Sequence, residues 1–230
     1  MTSPAEVARF KAANAGIVRL MRRDLDAFWA TLDTRRPEAA RDALLDFLPI
    51  LSDTYGDMSA AVAADWYDEL REAAQVPGAF RAMPADLVPA DVVRSRARFG
   101  AQHLWSPAPE QTLTFLASAM SKYVLQPGWD TIQESAMRDP QASGWRRVTR
   151  AGGCRFCRML AGRGGVYKKA TAHFASHDDC NCAAVPDWDP SAPEVDVDQY
   201  VASQRTSRMS PEQRERHRAR VADFLADMAD

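Results

Sequence analysis

The N-terminal part of the chain carries an apolar stripe at helical spacing. Ser3, Pro4 and Glu6 have the form of a capping box with proline at the first helical position, which predicts a helix start. Beyond it, apolar residues recur at intervals of three, four and seven, as on one face of a helix. The stripe consists of Val7, Phe10, Ile17, Leu20, Met21, Leu25, Phe28 and Leu32. We therefore expect a long amphipathic helix here.

A second helical region follows, and proline and glycine punctuate it. Residues 37–48 and 58–74 are both rich in helix-forming residues. Pro49 lies between them, lacks a backbone N–H and clashes with the preceding turn, so we expect a kink or break there. Gly56 marks a second candidate stop.

Three more helices are expected before residue 140. Pro127 and Gly128 stand together and predict a turn that separates two of them. No run alternates convincingly between apolar and polar residues in this part, so five or six helices favour an α-helical bundle or layered array. The predicted helices span residues 90–104, 109–125 and 131–138.

Several aromatic and histidine side chains of this helical part suit either a ligand pocket or the core. We favour core packing, because no polar residues converge beside them in the sequence. They are Trp66, Tyr67, His103, Trp105, Phe115 and Trp129.

Composition narrows the class of protein. The chain has 230 residues, 46% hydrophobic and 26% charged, which is typical of one or two globular domains. It has no uncharged apolar run near the roughly 20 residues of a membrane helix and no signal-peptide pattern at its start, so we expect no membrane association.

Charge is distributed unevenly along the chain. The formal net charge is only −2, which excludes a general electrostatic attraction to nucleic acid. Residues 144–186 nevertheless hold eight basic against two acidic residues, a net charge of +6 that favours an anionic partner, either phosphates or an acidic protein surface. The basic residues are Arg146, Arg147, Arg150, Arg155, Arg158, Arg163, Lys168 and Lys169.

All four cysteines fall within the same stretch and have the spacing of metal ligands. Cys154 and Cys157 are separated by two residues, Cys180 and Cys182 by one, and His177 lies just before the second pair. Two such pairs supply a tetrahedral shell, and thiolate with imidazole favours Zn²⁺. The ligands are either the four cysteines or three of them with His177, and His173 is expected to stay outside. Disulfides and unliganded thiols are the alternatives.

A filled cysteine-rich shell is usually structural, because a catalytic zinc keeps an open position. Residues 145–150 and 166–167 read as short strands around the cysteines. A zinc ion would therefore staple a small β-rich module whose loops have little apolar content.

The C-terminal part combines an acidic segment with a second capping box. Residues 187–198 are acidic and contain proline, which predicts a linker or strap. Ser210 and Gln213 open an amphipathic helix that either packs on the chain's own body or docks into a partner's groove. Its apolar face consists of Val221, Phe224, Leu225 and Met228.

The sequence thus predicts a mainly α protein in three parts. A multi-helix body spans residues 1–140, and a small β-rich, metal-stapled Cys/His module, the cysteine module, spans 141–190. An acidic linker and an amphipathic helix span 191–230.

Motifs in residues 144–182 resemble a known family. They are GWRRV at 144–148, CRFCRMLA at 154–161, RGGVY at 163–167 and FASHDDCNC at 174–182. Together they resemble the C-terminal module of the phage Mu F-like head morphogenesis proteins, in particular the minor capsid proteins of actinobacterial tailed phages.

This resemblance implies a virion component that acts at the portal or the inner capsid face in head assembly, DNA packaging or ejection. It implies the portal protein and the major capsid protein as partners, with packaged DNA as a further one, and a path from the host cytoplasm into the virion. The second hypothesis is a capsid maturation protease, and the third is a DNA-binding module inside the head. Since the sequence shows no recognisable Ser, His and acid set, we expect no enzymatic activity.

Overall fold

The first helix begins where the capping box predicts. A computed structural model describes residues 2–149, 153, 155–168, 174, 178, 182–195, 210–216 and 218–219. Helix α1 spans Pro4–Trp29. The Ser3 hydroxyl accepts the Glu6 N–H at 3.2 Å, and the Glu6 carboxylate accepts the Ser3 N–H at 2.6 Å. The predicted capping box is confirmed.

Helix α2 spans Pro37–Ala73 and runs through Pro49 without a break. A break at Pro49 and a stop at Gly56 are therefore wrong, and a kink at Pro49 stays a prediction. Leu44, Leu48 and Leu51 are all buried, so the apolar stripe stays in phase on both sides of the proline. Burial of both halves against one core outweighs the cost of about 3 kcal/mol that an internal proline carries.

Helix α3 spans Ala90–Ala101 and leads into a 3₁₀ helix, Gln102–Trp105. Helix α4 spans Gln111–Arg138, so the predicted turn at 126–128 is also wrong. Gly128 lies where α4 crosses α2. A Cβ on Gly128 would lie 2.4 Å from the Ser59 hydroxyl and 2.9 Å from its carbonyl oxygen. The glycine permits close helix approach and does not end the helix.

The helices form a bundle centred on α2 and α4, with α1 and α3 packed against this pair. Two aromatic stacks join α1 to α2: the ring centroids are 4.0 Å apart for Phe10 and Trp66 and 3.8 Å apart for Phe28 and Phe47. The mainly α prediction is confirmed. Fully buried side chains of the bundle include Met21, Leu25, Leu44, Leu48, Tyr67, Leu116, Met120 and Ile132.

A small sheet packs on α4. Strands β1, Gly144–Val148, and β2, Ala183–Asp187, pair antiparallel with Gly144 opposite Asp187 and Val148 opposite Ala183. Gly144 has a φ of +142°, and a Cβ there would lie 2.5 Å from the Tyr167 carbonyl oxygen. Only glycine therefore fits this start of the strand. The strand predicted at 145–150 is confirmed in part as β1, whereas residues 166–167, predicted as a strand, form only isolated bridges, Tyr167 with Trp145 and Val166 with Glu194.

The segment after β2 is a strap that packs on the rest of the protein. The Trp188 indole N–H donates to Asp139 at 3.0 Å. Glu194 forms a parallel bridge with Val166, and Val195 is buried. These contacts of residues 187–195 favour the prediction of a strap over that of a linker.

The start of the predicted C-terminal helix is also described. Residues 211–216 and 218–219 are helical. Ser210 and Gln213 exchange capping hydrogen bonds of 2.8 and 3.3 Å. The apolar residues predicted for its face, Val221, Phe224, Leu225 and Met228, lie outside the described residues.

Candidate functional site

Two of the candidate metal ligands lie in the protein core. Cys157 belongs to helix α5, Arg155–Ala161, and is 2% exposed. Cys182 directly precedes β2 and is 4% exposed. Both belong to the same cluster of buried residues as the helix bundle. Buried thiols shielded from water suit a soft cation such as Zn²⁺.

The other candidate ligands, Cys154, His177 and Cys180, lie outside the described residues, as does His173. Among the side chains that the structure does describe, no three His, Cys, Asp or Glu residues gather as a metal-binding group. The metal-stapled character of the module therefore stays a prediction.

Aromatic rings connect the cysteine module to the helical body. Phe174 lies between Trp129 of α4 and Trp145 of β1, with centroid distances of 4.8 and 5.7 Å. Trp145 also stacks on Tyr167 at 4.4 Å. The Trp129 indole N–H donates to the Cys182 carbonyl oxygen at 3.2 Å. Both ends of this segment, Phe174 and Cys182, are therefore anchored on one tryptophan of α4.

The predicted aromatic residues are divided between core and surface. Trp66, Tyr67 and Trp129 are buried, which confirms the core interpretation for them. Trp105 is 50% exposed; its indole N–H donates to Glu38 at 3.3 Å. Phe115 is half-buried and lies beside His103 and Phe99 at the surface of α3 and α4.

Two of the predicted basic contacts, Arg146 and Arg147, interact with other residues of the module itself. Arg146 forms an ion pair with Asp187 across the sheet. Arg147 is 5% exposed, and its guanidinium lies 3.7 Å from the Phe174 ring centroid. In this arrangement the two arginines hold the module together, so contacts with an anionic partner fall to other residues.

The remaining basic residues are more accessible. Arg155, Arg158 and Lys168 are exposed, and none of the three has an ion pair within the described part of the chain. Arg163 is half-buried. Arg150 and Lys169 lie outside the described residues. Among the described basic residues of the cysteine module, the accessible positive charge is therefore concentrated at α5 and at Lys168.

An ion pair joins the cysteine module to α3. Arg96 Nη2 lies 2.6 Å from Asp178 Oδ2, and both side chains are about one-third exposed. The Arg96 guanidinium also lies 4.3 Å from the Phe115 ring centroid. Asp178 immediately follows the candidate ligand His177 in the sequence.

A buried polar cluster lies where α2, α4 and the strap meet. Asp139 accepts hydrogen bonds from Arg71 at 2.9 Å, Trp188 at 3.0 Å and Tyr67 at 3.2 Å. Arg71 also donates to the carbonyl oxygens of residues 76, 77 and 78 at 3.3, 2.8 and 2.8 Å. Burial first, and then the charge of Asp139, raises the pKa of Tyr67, so its hydroxyl stays protonated and donates.

Sequence reasoning missed this cluster. Asp139 directly follows the predicted helix 131–138, and Trp188 lies in the predicted acidic segment 187–198. Arg71 and Asp139 are 68 residues apart, and nothing local distinguishes one aspartate among 31 acidic residues. The cluster closes the end of the bundle against the strap.

No helix within the described part of the chain is long and apolar enough to cross a membrane.

Comparison with known proteins identifies a family. The sequence profile of the VG15 protein family matches residues 1–206, which include the helical body and all the motifs of the cysteine module. No curated protein and no solved structure matches the chain. Because the match covers most of the 230 residues, the chain belongs to the VG15 protein family, a family of virion-related phage proteins.

Proposed function

We propose that this chain is a minor capsid or head morphogenesis protein that acts at the portal or the inner capsid face. The observation that carries the proposal is the family match over residues 1–206. The Mu F-like motifs of residues 144–182 support the finer assignment. In this role the chain moves from the host cytoplasm into the virion and contacts the portal protein, the major capsid protein or both.

The test is to locate the chain in the phage. Purified virions analysed by mass spectrometry should contain it in few copies, and a tagged chain should co-purify with the portal or major capsid protein. Particles made without its gene should show a defect in assembly, DNA packaging or ejection that the wild-type chain corrects. Absence from purified virions would overturn the proposal.

We propose that the role is structural and not catalytic. The polar groups that converge in the bundle, Arg71, Asp139, Tyr67 and Trp188, are hydrogen-bonded to one another in its interior, which suits holding a fold. Co-expression with the major capsid and scaffold proteins should leave them uncleaved. Cleavage that is abolished by Ser176→Ala or His177→Ala would instead support the maturation protease.

We propose that the cysteine module binds one structural Zn²⁺ through four of the five candidates Cys154, Cys157, His177, Cys180 and Cys182. Burial of Cys157 and Cys182 supports this, because it offers thiolates in a site closed to solvent. When bound, zinc crosslinks the segments around α5 and β2, which lie far apart in sequence.

Metal analysis of freshly purified, reduced protein tests the zinc proposal. We expect about one equivalent per chain and its loss when any of the four ligands is replaced, in the series Cys154→Ser, Cys157→Ser, Cys180→Ser, Cys182→Ser and His177→Ala. The variant that keeps zinc identifies the candidate outside the shell. His103→Ala is the matched control for His177→Ala, because His103 lies on the helical body. A wild-type chain without zinc under reducing conditions would overturn the site.

A DNA contact is a second candidate function, favoured by the exposed Arg155, Arg158 and Lys168. If DNA binds through them, the logarithm of the binding constant should fall with the logarithm of the salt concentration, with a slope of about 0.9 per phosphate contact. Reversing their three charges should flatten that slope, whereas Arg36→Glu with Arg98→Glu on the helical body should not. Equal slopes in all three proteins would exclude this contact.

A further inference from the structure

The helical body holds the segment between Phe174 and Cys182 at each of its described points. The Phe174 ring stacks on Trp129, Asp178 pairs with Arg96, and the Cys182 carbonyl oxygen accepts the Trp129 indole N–H. These contacts come from α3 and α4, two helices that precede the cysteine module in the sequence. Phe174, Asp178 and Cys182 are thus each contacted from outside the module, and Phe174 is also contacted from within it, by Trp145 and Arg147 of β1.

Arg96 is itself fixed on two sides. Its guanidinium lies 2.6 Å from the Asp178 carboxylate and 4.3 Å from the Phe115 ring centroid. Ion pairs that are one-third exposed contribute little to overall stability, because solvent screens them. The consequence of this pair is therefore positional: it places Asp178 against α3.

Trp129 acts through two different groups. Its side chain is 1% exposed, and its indole nitrogen is a donor that has no acceptor function. The N–H fixes the backbone at Cys182, while the ring face packs on Phe174 at 4.8 Å. One buried side chain thus holds the cysteine and the start of the segment that leads to it.

We infer that Arg96 and Trp129 are positioning residues for the cysteine module, which set where Cys182 lies relative to Cys157. This inference rests on the zinc site proposed above. Tetrahedral zinc requires each sulfur at about 2.3 Å from the ion, so a small displacement of a ligand weakens binding. Residues that orient metal ligands from outside the first coordination sphere typically change metal affinity by about 10-fold to 100-fold.

Two measurements on the reduced, full-length chain test the inference. The first is the rate at which a chromogenic chelator removes zinc, and the second is amide hydrogen exchange over residues 174–182. The variants are Arg96→Ala and Trp129→Phe, which keeps a ring but removes the donor. Arg98→Ala is the matched control, because Arg98 lies on α3, is exposed and has no ion pair within the described residues.

We expect about 10-fold faster zinc loss and faster exchange in Arg96→Ala and Trp129→Phe, but not in Arg98→Ala. Combining Arg96→Asp with Asp178→Arg should restore slow zinc loss, since the ion pair forms again with exchanged charges. Zinc loss and exchange that match Arg98→Ala would overturn the inference. Faster exchange with unchanged zinc loss would also overturn it, because the contacts would then be structural only.

The two proposals fail differently. A wild-type chain that holds zinc, with variants that release it no faster, overturns the positioning role and leaves the metal site in place. A wild-type chain that holds no zinc overturns the metal site itself.

Discussion

Asp139 is the residue on which three parts of the protein converge. It accepts from Arg71 at the end of α2, from Tyr67 one turn earlier and from Trp188 in the strap. Its side chain is fully buried and that of Arg71 nearly so. A buried ion pair is sensitive to the loss of one partner, because the remaining charge has no water to solvate it.

Replacing Asp139 with asparagine should therefore be costly. We expect Asp139→Asn to lower the free energy of unfolding by about 3–5 kcal/mol, measured by urea denaturation at neutral pH. Glu134→Gln is the control, since Glu134 and Arg138 form an exposed pair on the same helix and should contribute less than about 1 kcal/mol. Equal losses in the two variants would contradict this account of Asp139.

The Asp139 carboxylate should also make the stability of the fold depend on pH in the acidic range. Burial alone would raise the pKa of Asp139, but hydrogen bonds from Trp188, Arg71 and the Gln141 backbone N–H outweigh it and lower the pKa below the ordinary 3.8. A group with a depressed pKa in the folded state stabilises the fold above its unfolded pKa and loses that contribution as the pH falls toward the folded value.

We therefore expect the difference in unfolding free energy between wild type and Asp139→Asn to be constant above about pH 5 and to shrink below about pH 4. Urea denaturation at several pH values measures it. A difference that stays constant or grows in acid would show that these contacts do not lower the pKa of the Asp139 carboxyl group.

At the scale of elements, the α2 and α4 crossing is the central contact of the bundle. Gly128 of α4 faces Ser59 of α2, and a Cβ on Gly56 would lie 3.3 Å from the Pro127 ring. The Thr131 hydroxyl, one turn beyond, donates to the Pro127 carbonyl oxygen at 2.7 Å and accepts the Ala85 N–H at 2.9 Å. The crossing therefore depends on residues without large side chains.

A methyl group at Gly128 should force the helices apart. We expect Gly128→Ala to destabilise the protein by about 1–3 kcal/mol through overpacking. Gly16→Ala on α1 should instead stabilise it by about 0.5–1 kcal/mol, because alanine is the better helix former and the nearest atom to its Cβ, in Arg19, is 3.7 Å away. Thermal unfolding should show the melting temperature lowered in Gly128→Ala and raised in Gly16→Ala relative to wild type. Shifts of the same sign would contradict this view of the crossing.

The crossing also explains why the sequence predicted too many helices. Proline and glycine usually end helices, so Pro49, Pro127 and Gly128 predicted breaks. The competing effect was tertiary: burial on both sides of each position and close contact between two helices, which local sequence does not report. Where local chemistry decides the outcome, as in the capping box of Ser3 and Glu6, the prediction was correct.

At the scale of the whole molecule, one buried cluster runs through the helical body and the cysteine module. Phe174 packs on both Trp129 of α4 and Trp145 of β1, and Cys157 and Cys182 belong to the same cluster. The predicted boundary at residue 140 thus separates two parts of the sequence that share a core.

This shared core should make the chain unfold as one unit. We expect a single thermal transition, with far-ultraviolet circular dichroism for the helices and near-ultraviolet circular dichroism for the aromatic packing coinciding. Phe174→Ala should cost about 3–5 kcal/mol and move both signals together. Two separated transitions would show that the module folds independently of the body.

Only the part of the candidate site that is close together in the sequence could be predicted. The four cysteines are recognisable as candidate ligands because they all fall within 29 residues: Cys154, Cys157, Cys180 and Cys182. The residues that contact this stretch are distant in the sequence: Arg96 is 82 residues from Asp178, and Trp129 is 53 residues from Cys182. Such pairs are formed by the fold, and a single sequence carries no periodic or spacing signal for them.

The exposed indole of Trp105 has a practical consequence. Trp66, Trp129 and Trp145 are buried, while Trp105 is 50% exposed at the end of the 3₁₀ helix. A collisional quencher such as acrylamide therefore reaches Trp105 far more readily than those three. If a second protein covers that face, quenching of the Trp105 fluorescence should decrease. Trp105→Phe gives the baseline, and the measurement needs no added label.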